Sequence, residues 1–505
     1  MFPHGMFHVS QRRPGSIRVG ALALALGASS AVGLALAPQA GAGSTGPTQT
    51  YVVLYKAGAS TAGAASTVSS AGGTVIASYP QIGVVIARSD QTGFATTISK
   101  QSRVEGAAAT TGLGTGVGQE AATSVTADAP APGSDGEPLS GWQWDMEQIN
   151  AFAAHEITGG DPDVVVGDLD TGLDFTHPDL APNYRADLSA DCSSGAAQPL
   201  LPGNDANGHG THTAGTIAAA VNGIGVTGVA PNVGLAGVKT SNDDGFFFPE
   251  MVICAYMWVA AHGIDVTNNS YFADPWLFNC VNDAGQRAIW KAERRAIQYA
   301  QSKGTVVVSS EGNASDDLSH PTQDATSPDD TTPVTRDITN ACSVIPVEAP
   351  GVIGVTATGD LSLKAYYSSY GISTADVAAP GGDRRFQVTA DPGGGRVLST
   401  WSTTAPCAIG TTDHGAPYCW IQGTSMAGPH AAGLAALILS RGVAPQAVEG
   451  VMESTANPLP CPDTSQPIYA NFPAVDNGAP QTCTGGTGHN SFYGAGEIDA
   501  LAAVG

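Results

Sequence analysis

The stretch VVVGDLDTGLDFTHPDL, Val164 to Leu180, places Asp168, Asp170, Asp174 and Asp179 just behind an apolar run. Asp170-Thr171-Gly172 is the tripeptide used where two carboxylates share one proton. That chemistry needs a second such tripeptide, and the chain has none. A second stretch, NGHGTHTAGT, sets His209 between glycines ahead of a run of small residues. His209 and His212 form an HxxH, but helical metal ligands sit better four apart around a glutamate base, which is missing here. His212 reads as a structural histidine, whereas the glycines keep the His209 ring accessible at a turn. The third stretch, WIQGTSMAGPHAAGLAALILSRG, puts Ser425 at the start of an apolar helix, with Gly423 for a sharp turn and Pro429 in the first turns. Such a serine is either an N-cap or a nucleophile whose own N–H helps hold an oxyanion. The GxSxG elbow of another hydrolase class is absent.

Together these residues run Asp…His…Ser along the chain. The segments DTGLDFTHPDL, NGHGTHTAGT, GVTGVAPNVGLAGVK, VVVSSEGN and GTSMAGPHAAG resemble the subtilisin-like serine proteases, from about Trp142 to YGAGEIDALAAV near the C-terminus. The resemblance implies Ser425 as nucleophile, His209 as general base and then acid, and Asp170 as the carboxylate that orients it. Asn313 would be a side-chain donor to the oxyanion; Asn313-Ala314-Ser315 is also a glycosylation sequon, which weighs less. The resemblance further suggests a structural calcium held by Asp179 and by Asn222 in the 220–226 loop, with Gln143 and carbonyls completing six to eight oxygens. Alternatively, Asp179 caps a turn and Asn222 ends a helix.

Departures from the family pattern bear on specificity. Ser270-Tyr271-Phe272 ends the strand expected to line the substrate cleft, and the stretch YFADPWLF would narrow it. Glu311 precedes Gly312 and Asn313 where a small neutral residue is usual. Its carboxylate either selects basic side chains or turns away into an ion pair. A catalytically dead binding protein is disfavoured because Asp170, His209, Asn313 and Ser425 occur together. A metal hydrolase using His209 and His212 is the third alternative.

Positioning these residues requires strands that end at one edge. VVVGDL, GIDVTNNS, GTVVVSS and GVIGVTATG are continuous apolar runs alternating with helical stretches such as TAGTIAAAV and AERRAIQYAQSKG. This pattern predicts an α/β fold, a three-layer parallel sheet with helices on both faces, over residues 141–505. Residues 50–108 read as a small α+β unit, with strands at TYVVLY, GGTVIASY, IGVVIA and RVEGAAA and helices near Ser60–Ala71 and Gln91–Lys100. The resemblance makes it a ferredoxin-like inhibitory propeptide, with a Gly/Ala/Thr/Pro-rich linker at 109–140 carrying the maturation cut. The polar stretch from Ala314 to Ser343 reads as a surface excursion.

Residues 1–42, with Arg12, Arg13 and Arg18 ahead of an Ala/Leu-rich run, read as an export signal for a secreted protein without a stable membrane anchor. The net charge is −24, with residues 138–505 at −25 and residues 1–137 at +1. Such an acidic surface excludes nucleic acid as a partner. Protein or peptide substrates and the chain's own propeptide are the expected partners of a monomer, with no cofactor for catalysis. Eight cysteines, all after residue 190, suit disulfides. Short loops favour Cys407–Cys419, Cys461–Cys483 and Cys254–Cys280, leaving Cys192 with Cys342.

Overall fold

The computed structural model describes residues 45–110, 123–124, 131, 133 and 135–505; the expected export signal and most of the linker lie outside them. The N-terminal unit comprises β1 (Thr45–Tyr55), α1 (Ala64–Ser70), β2 (Gly73–Tyr79), β3 (Val84–Gln91), α2 (Phe94–Ile98) and β4 (Val104–Ala109). Its sheet order is β2-β3-β1-β4, antiparallel throughout. Alternation along β1 explains why both faces of Tyr51–Tyr55 are apolar. Tyr51, Val53 and Tyr55 pack on Val68, Phe94 and Ile98 of the unit's own helices. Val52 and Leu54 face the other way, into a core shared with the large domain.

In the large domain the chain continues through β5 (Val165–Asp170), β6 (Ala190–Asp191), α3 (His209–Ala218), β7 (Gly234–Lys239), α4 (Pro249–His262) and β8 (Val266–Asn269). It goes on through α5 (Ala284–Gln301), β9 (Val306–Ser310), β10 (Val352–Thr358) and β11 (Val377–Pro380). These strands form one sheet in the order β11-β10-β9-β8-β5-β7-β6, all parallel. A side sheet contains β12 (Val397–Thr400), β13 (Ile409–Asp413) and β14 (Ala416–Ile421), followed by α6 (Thr424–Ser440). One face of the main sheet packs on α3 and α6. The other packs on α4 and α5, and the N-terminal unit lies over those two helices. Helix α6 is apolar all round because it is buried all round. Leu434 and Leu437, both fully buried there, each contribute about 1.5–3 kcal/mol through burial.

Two expectations need correction. Cys407–Cys419 and Cys461–Cys483 form, but the other bridges are Cys192–Cys254 and Cys280–Cys342. The cause is register: Cys280 lies directly opposite Cys342 across a short antiparallel pair, which loop length does not reveal. The polar stretch 314–343 is also not a loose surface excursion. Asp316, Asp324, Ser327 and Asp330 in it are buried. Arg336 joins it together, donating to Asp324 Oδ2 at 2.6 Å and stacking over Trp276. Among the described residues no helix is long and apolar enough to cross a membrane.

Candidate active site

Asp170 is the last residue of β5, and Thr171-Gly172 make the turn that follows. That turn is fastened to the start of α3. Thr171 Oγ1 donates to Asp205 Oδ1 at 2.9 Å and accepts from Gly210 N at 2.9 Å. Asp205 also accepts from the backbone N–H groups of Gly208 and Thr211, so it caps the helix that presents His209. The approach leaves no room for a side chain at 210, where a Cβ would lie 2.2 Å from Gly172 O. The buried Lys239 ammonium, at the end of β7, donates to Thr171 O and Asn204 O at 2.9 and 2.8 Å. Asp205 and Lys239 escaped the sequence reading; the only signal was the position of Asp205 four residues before His209.

The outcome is a contact of 2.7 Å between His209 Nδ1 and Asp170 Oδ1. The Asp170 side chain is fully buried, while the imidazole is 25% exposed. Burial alone would lower the pKa of His209, but the charge and hydrogen bond of Asp170 outweigh it and the net shift is upward. His212 is a different case. Its Nε2 lies 3.2 and 3.1 Å from the carbonyls of Val397 and Cys419, and burial drives its pKa down to about 3. Enclosed there, it cannot share a metal with His209.

Ser425 is the second residue of α6, and its Oγ donates to the Ser270 carbonyl at 3.3 Å, just beyond β8. Asn313 follows β9. Its Oδ1 accepts from Thr424 N at 2.9 Å and Thr424 Oγ1 at 3.0 Å, which fixes which end of the amide is free to donate. The Asn313 Nδ2 and the Ser425 N–H flank one spot, each 3.6 Å from where a Gly423 Cβ would stand. Two such donors around one point can stabilise a developing oxyanion. Thr424 also accepts from Gly312 N at 3.1 Å, a fastening role the sequence reading missed although Thr424 sits inside the GTS signal.

Other proposed cleft residues lie elsewhere. The Tyr271 ring is buried, stacked on Phe247, and its hydroxyl donates to Asn269 Oδ1 at 3.0 Å, so it does not narrow the cleft. Phe272 is half-buried against the cluster of Phe278 and Leu318. Ser270 is buried beside the nucleophile candidate, its Oγ donating to Ser425 O. Glu311 points into the core at 2% exposure, where Oε2 accepts from Thr374 Oγ1. Burial first, then nearby carboxylates, raise its pKa well above the usual range, so it is neither ion-paired nor a selector of basic side chains.

The expected calcium ligands do not fit a cation. In the 220–226 loop the backbone N–H groups, not the carbonyls, meet the neighbouring oxygens. Gly223 N donates to both Glu137 oxygens, Ile224 N to Asn222 Oδ1, Gly225 N to Asp413 Oδ2 and Val226 N to Asp179 Oδ2. Tyr418 OH donates to Asp179 Oδ2 at 2.8 Å and fills the hollow, lying 1.9 Å from where a Gly225 Cβ would stand. Gln143 instead pairs through both ends of its amide with the backbone of Thr227. Calcium requires converging oxygens. Here the N–H groups of Gly223, Gly225 and Val226 occupy oxygens of Glu137, Asp413 and Asp179, and Asp179 Oδ1 is the buried oxygen left without a partner. Asp179, its pKa pushed up to about 7 chiefly by burial, and Asn222 therefore act as loop anchors.

Comparisons with known proteins place the chain in a family. The pattern of the subtilase family, Peptidase_S8, matches residues 161–496. M-protease of Shouchella clausii is 29% identical over 368 residues, 72% of this chain and 69% of its own length. Subtilisin NAT of Bacillus subtilis subsp. natto is 31% identical over 296 residues, 59% of this chain and 60% of its own. Among solved structures, the epidermin leader peptide processing serine protease of Staphylococcus aureus superposes with a TM-score of 0.65 at 21% identity, covering 91% of this chain and 98% of that one. Fervidolysin of Fervidobacterium pennivorans gives 0.62 at 22% identity, over 92% of this chain and 62% of that one. With the family pattern spanning the sheet and every segment that carries these side chains, the chain belongs to the subtilase family of serine-type endopeptidases.

Proposed function

We propose that the chain is a secreted endopeptidase, made as a zymogen, that cuts protein or peptide substrates through Ser425, His209 and Asp170. The observation that carries this reading is the 2.7 Å contact of Asp170 with a histidine whose ring stays open to solvent. The Ser425 hydroxyl turns from the Ser270 carbonyl to His209 Nε2, gives up its proton and attacks the scissile carbonyl. Asn313 Nδ2 and the Ser425 N–H hold the resulting oxyanion. His209 then protonates the leaving amine, and water, activated by the same ring, releases the acyl group from Ser425. Asp170 keeps Nδ1 protonated and stabilises the imidazolium throughout.

The N-terminal unit acts as the inhibitor that maturation removes. It is seated on α5, where Arg295 Nη1 donates to Tyr55 O at 2.8 Å and Lys291 and Arg295 both meet Glu105. The test is the fate of the full chain. Ser425→Ala protein accumulates uncut, while the unaltered chain is trimmed within 109–140; normal trimming of the Ser425→Ala chain would defeat the reading.

A further inference from the structure

Asp168 lies two residues before Asp170 on β5, so both side chains leave the same face of the strand. It is 2% exposed. Its Oδ2 is 2.7 Å from Thr213 Oγ1 on α3, the helix that begins with His209. Its Oδ1 accepts from Asn268 Nδ2 at 2.9 Å, on β8. The same amide nitrogen donates to Ser270 Oγ at 3.2 Å, and Ser270 Oγ donates to the Ser425 carbonyl at 3.0 Å. A single hydrogen-bonded chain, Thr213–Asp168–Asn268–Ser270–Ser425, thus runs beneath the site. It joins the elements that carry His209, Asp170 and Ser425.

The hydroxyl of Thr213 has one proton and two near acceptors, Asp168 Oδ2 at 2.7 Å and Gly210 O at 3.0 Å. Where that proton goes decides whether Asp168 needs a proton of its own, since Gly210 O can only accept. If Thr213 donates to that carbonyl, the 2.7 Å contact is satisfied only by a proton on Asp168 Oδ2. The titratable groups facing Asp168 are Asp170 on its own strand and His209 on α3. From β8 it meets Asn268, which does not titrate. Burial first, then the Asp170 charge, push its carboxyl well above the usual range, which favours the arrangement with the proton on Asp168.

We propose that Asp168 is a positioning residue, held as the neutral acid, which sets the distance between the His209 helix and the Ser425 helix. This rests on the assignment of Ser425, His209 and Asp170 above. Thr213→Val removes the hydroxyl at nearly constant shape, so kcat is expected to fall about tenfold with KM held, as for a small misplacement of reacting groups. Asp168→Asn can donate to Thr213 and accept from Asn268 as the neutral acid does. It should keep kcat within about threefold, with the acid limb of kcat/KM at an unchanged pH. An unchanged kcat in Thr213→Val would overturn the proposal. So would an acid limb displaced to lower pH in Asp168→Asn, because that marks loss of a negative charge beside His209. A fluorophosphonate probe on the unaltered enzyme separates the two levels. No label on Ser425 sinks the hydrolytic reading and the relay with it, whereas labelling at equal rates in the unaltered and Thr213→Val enzymes sinks the relay alone.

Discussion

Among the described residues two histidines meet a fully buried aspartate, and only one of these pairs can do catalysis. Asp170 holds His209 at 2.7 Å, and the other ring nitrogen of His209 has no protein partner among the described residues. Asp145 holds His430 at 3.0 Å with both side chains fully buried, and the remaining nitrogen, Nδ1, lies 2.7 Å from Met426 O. Both nitrogens of His430 are thus committed. What makes a base is the reachable second nitrogen, not the carboxylate alone. His430 instead fastens the short helix Trp144–Gln148 to α6, four residues beyond Met426.

The contrast can be broken from either side. Asp170→Asn should lower kcat by about 10⁴ in steady-state assays while leaving the thermal midpoint nearly unchanged, because the wrong tautomer is then favoured. Asp145→Ala should do the reverse. Leaving His430 Nε2 buried without its partner is expected to cost about 1–3 kcal/mol in denaturant unfolding, with kcat of the folded enzyme preserved. A loss of turnover in Asp145→Ala without loss of stability would merge the two pairs into one function.

Asn313→Ala probes the cleft beside the open histidine. It should reduce kcat by about 10²–10³ with KM little altered, since its donor matters only as the oxyanion forms. The smallest effect is expected at the 220–226 loop. Thermal melts in EGTA and in calcium should coincide, since side-chain oxygens already hold that loop. A clear rise of the midpoint in calcium, lost in Asp179→Asn, would restore the metal.

The open pair was legible in the sequence and the closed pair was not. Asp170, His209, Asn313 and Ser425 stand in long local motifs, and the strands that deliver them are continuous apolar runs. Parallel order and the βαββαβ N-terminal unit followed from the same patterns. Asp145 meets His430 across 285 positions, and nothing local marks either residue as a partner of the other. Cys280 and Cys342 meet through a two-residue strand pair whose register no composition reveals. Glu311 and Tyr271 occupy positions that suggest a cleft, yet both lie just past their strands with buried side chains, Tyr271 stacked on Phe247 and Glu311 accepting from Thr374. For Asp179 and Asn222 the residue types suited calcium. The direction of the loop's N–H groups decided against it, and a sequence does not specify that direction.

The most direct measurement is fluorophosphonate labelling of the mature enzyme, read by peptide mass mapping at a series of pH values from about 5 to 9. A single adduct on Ser425 is expected. Its rate should rise with pH through an apparent pKa above the ordinary histidine value of about 6.5, because Asp170 raises the pKa of His209 and only the neutral ring takes the proton. An adduct elsewhere, or peptide hydrolysis that continues with Ser425 unlabelled under excess probe, would contradict it.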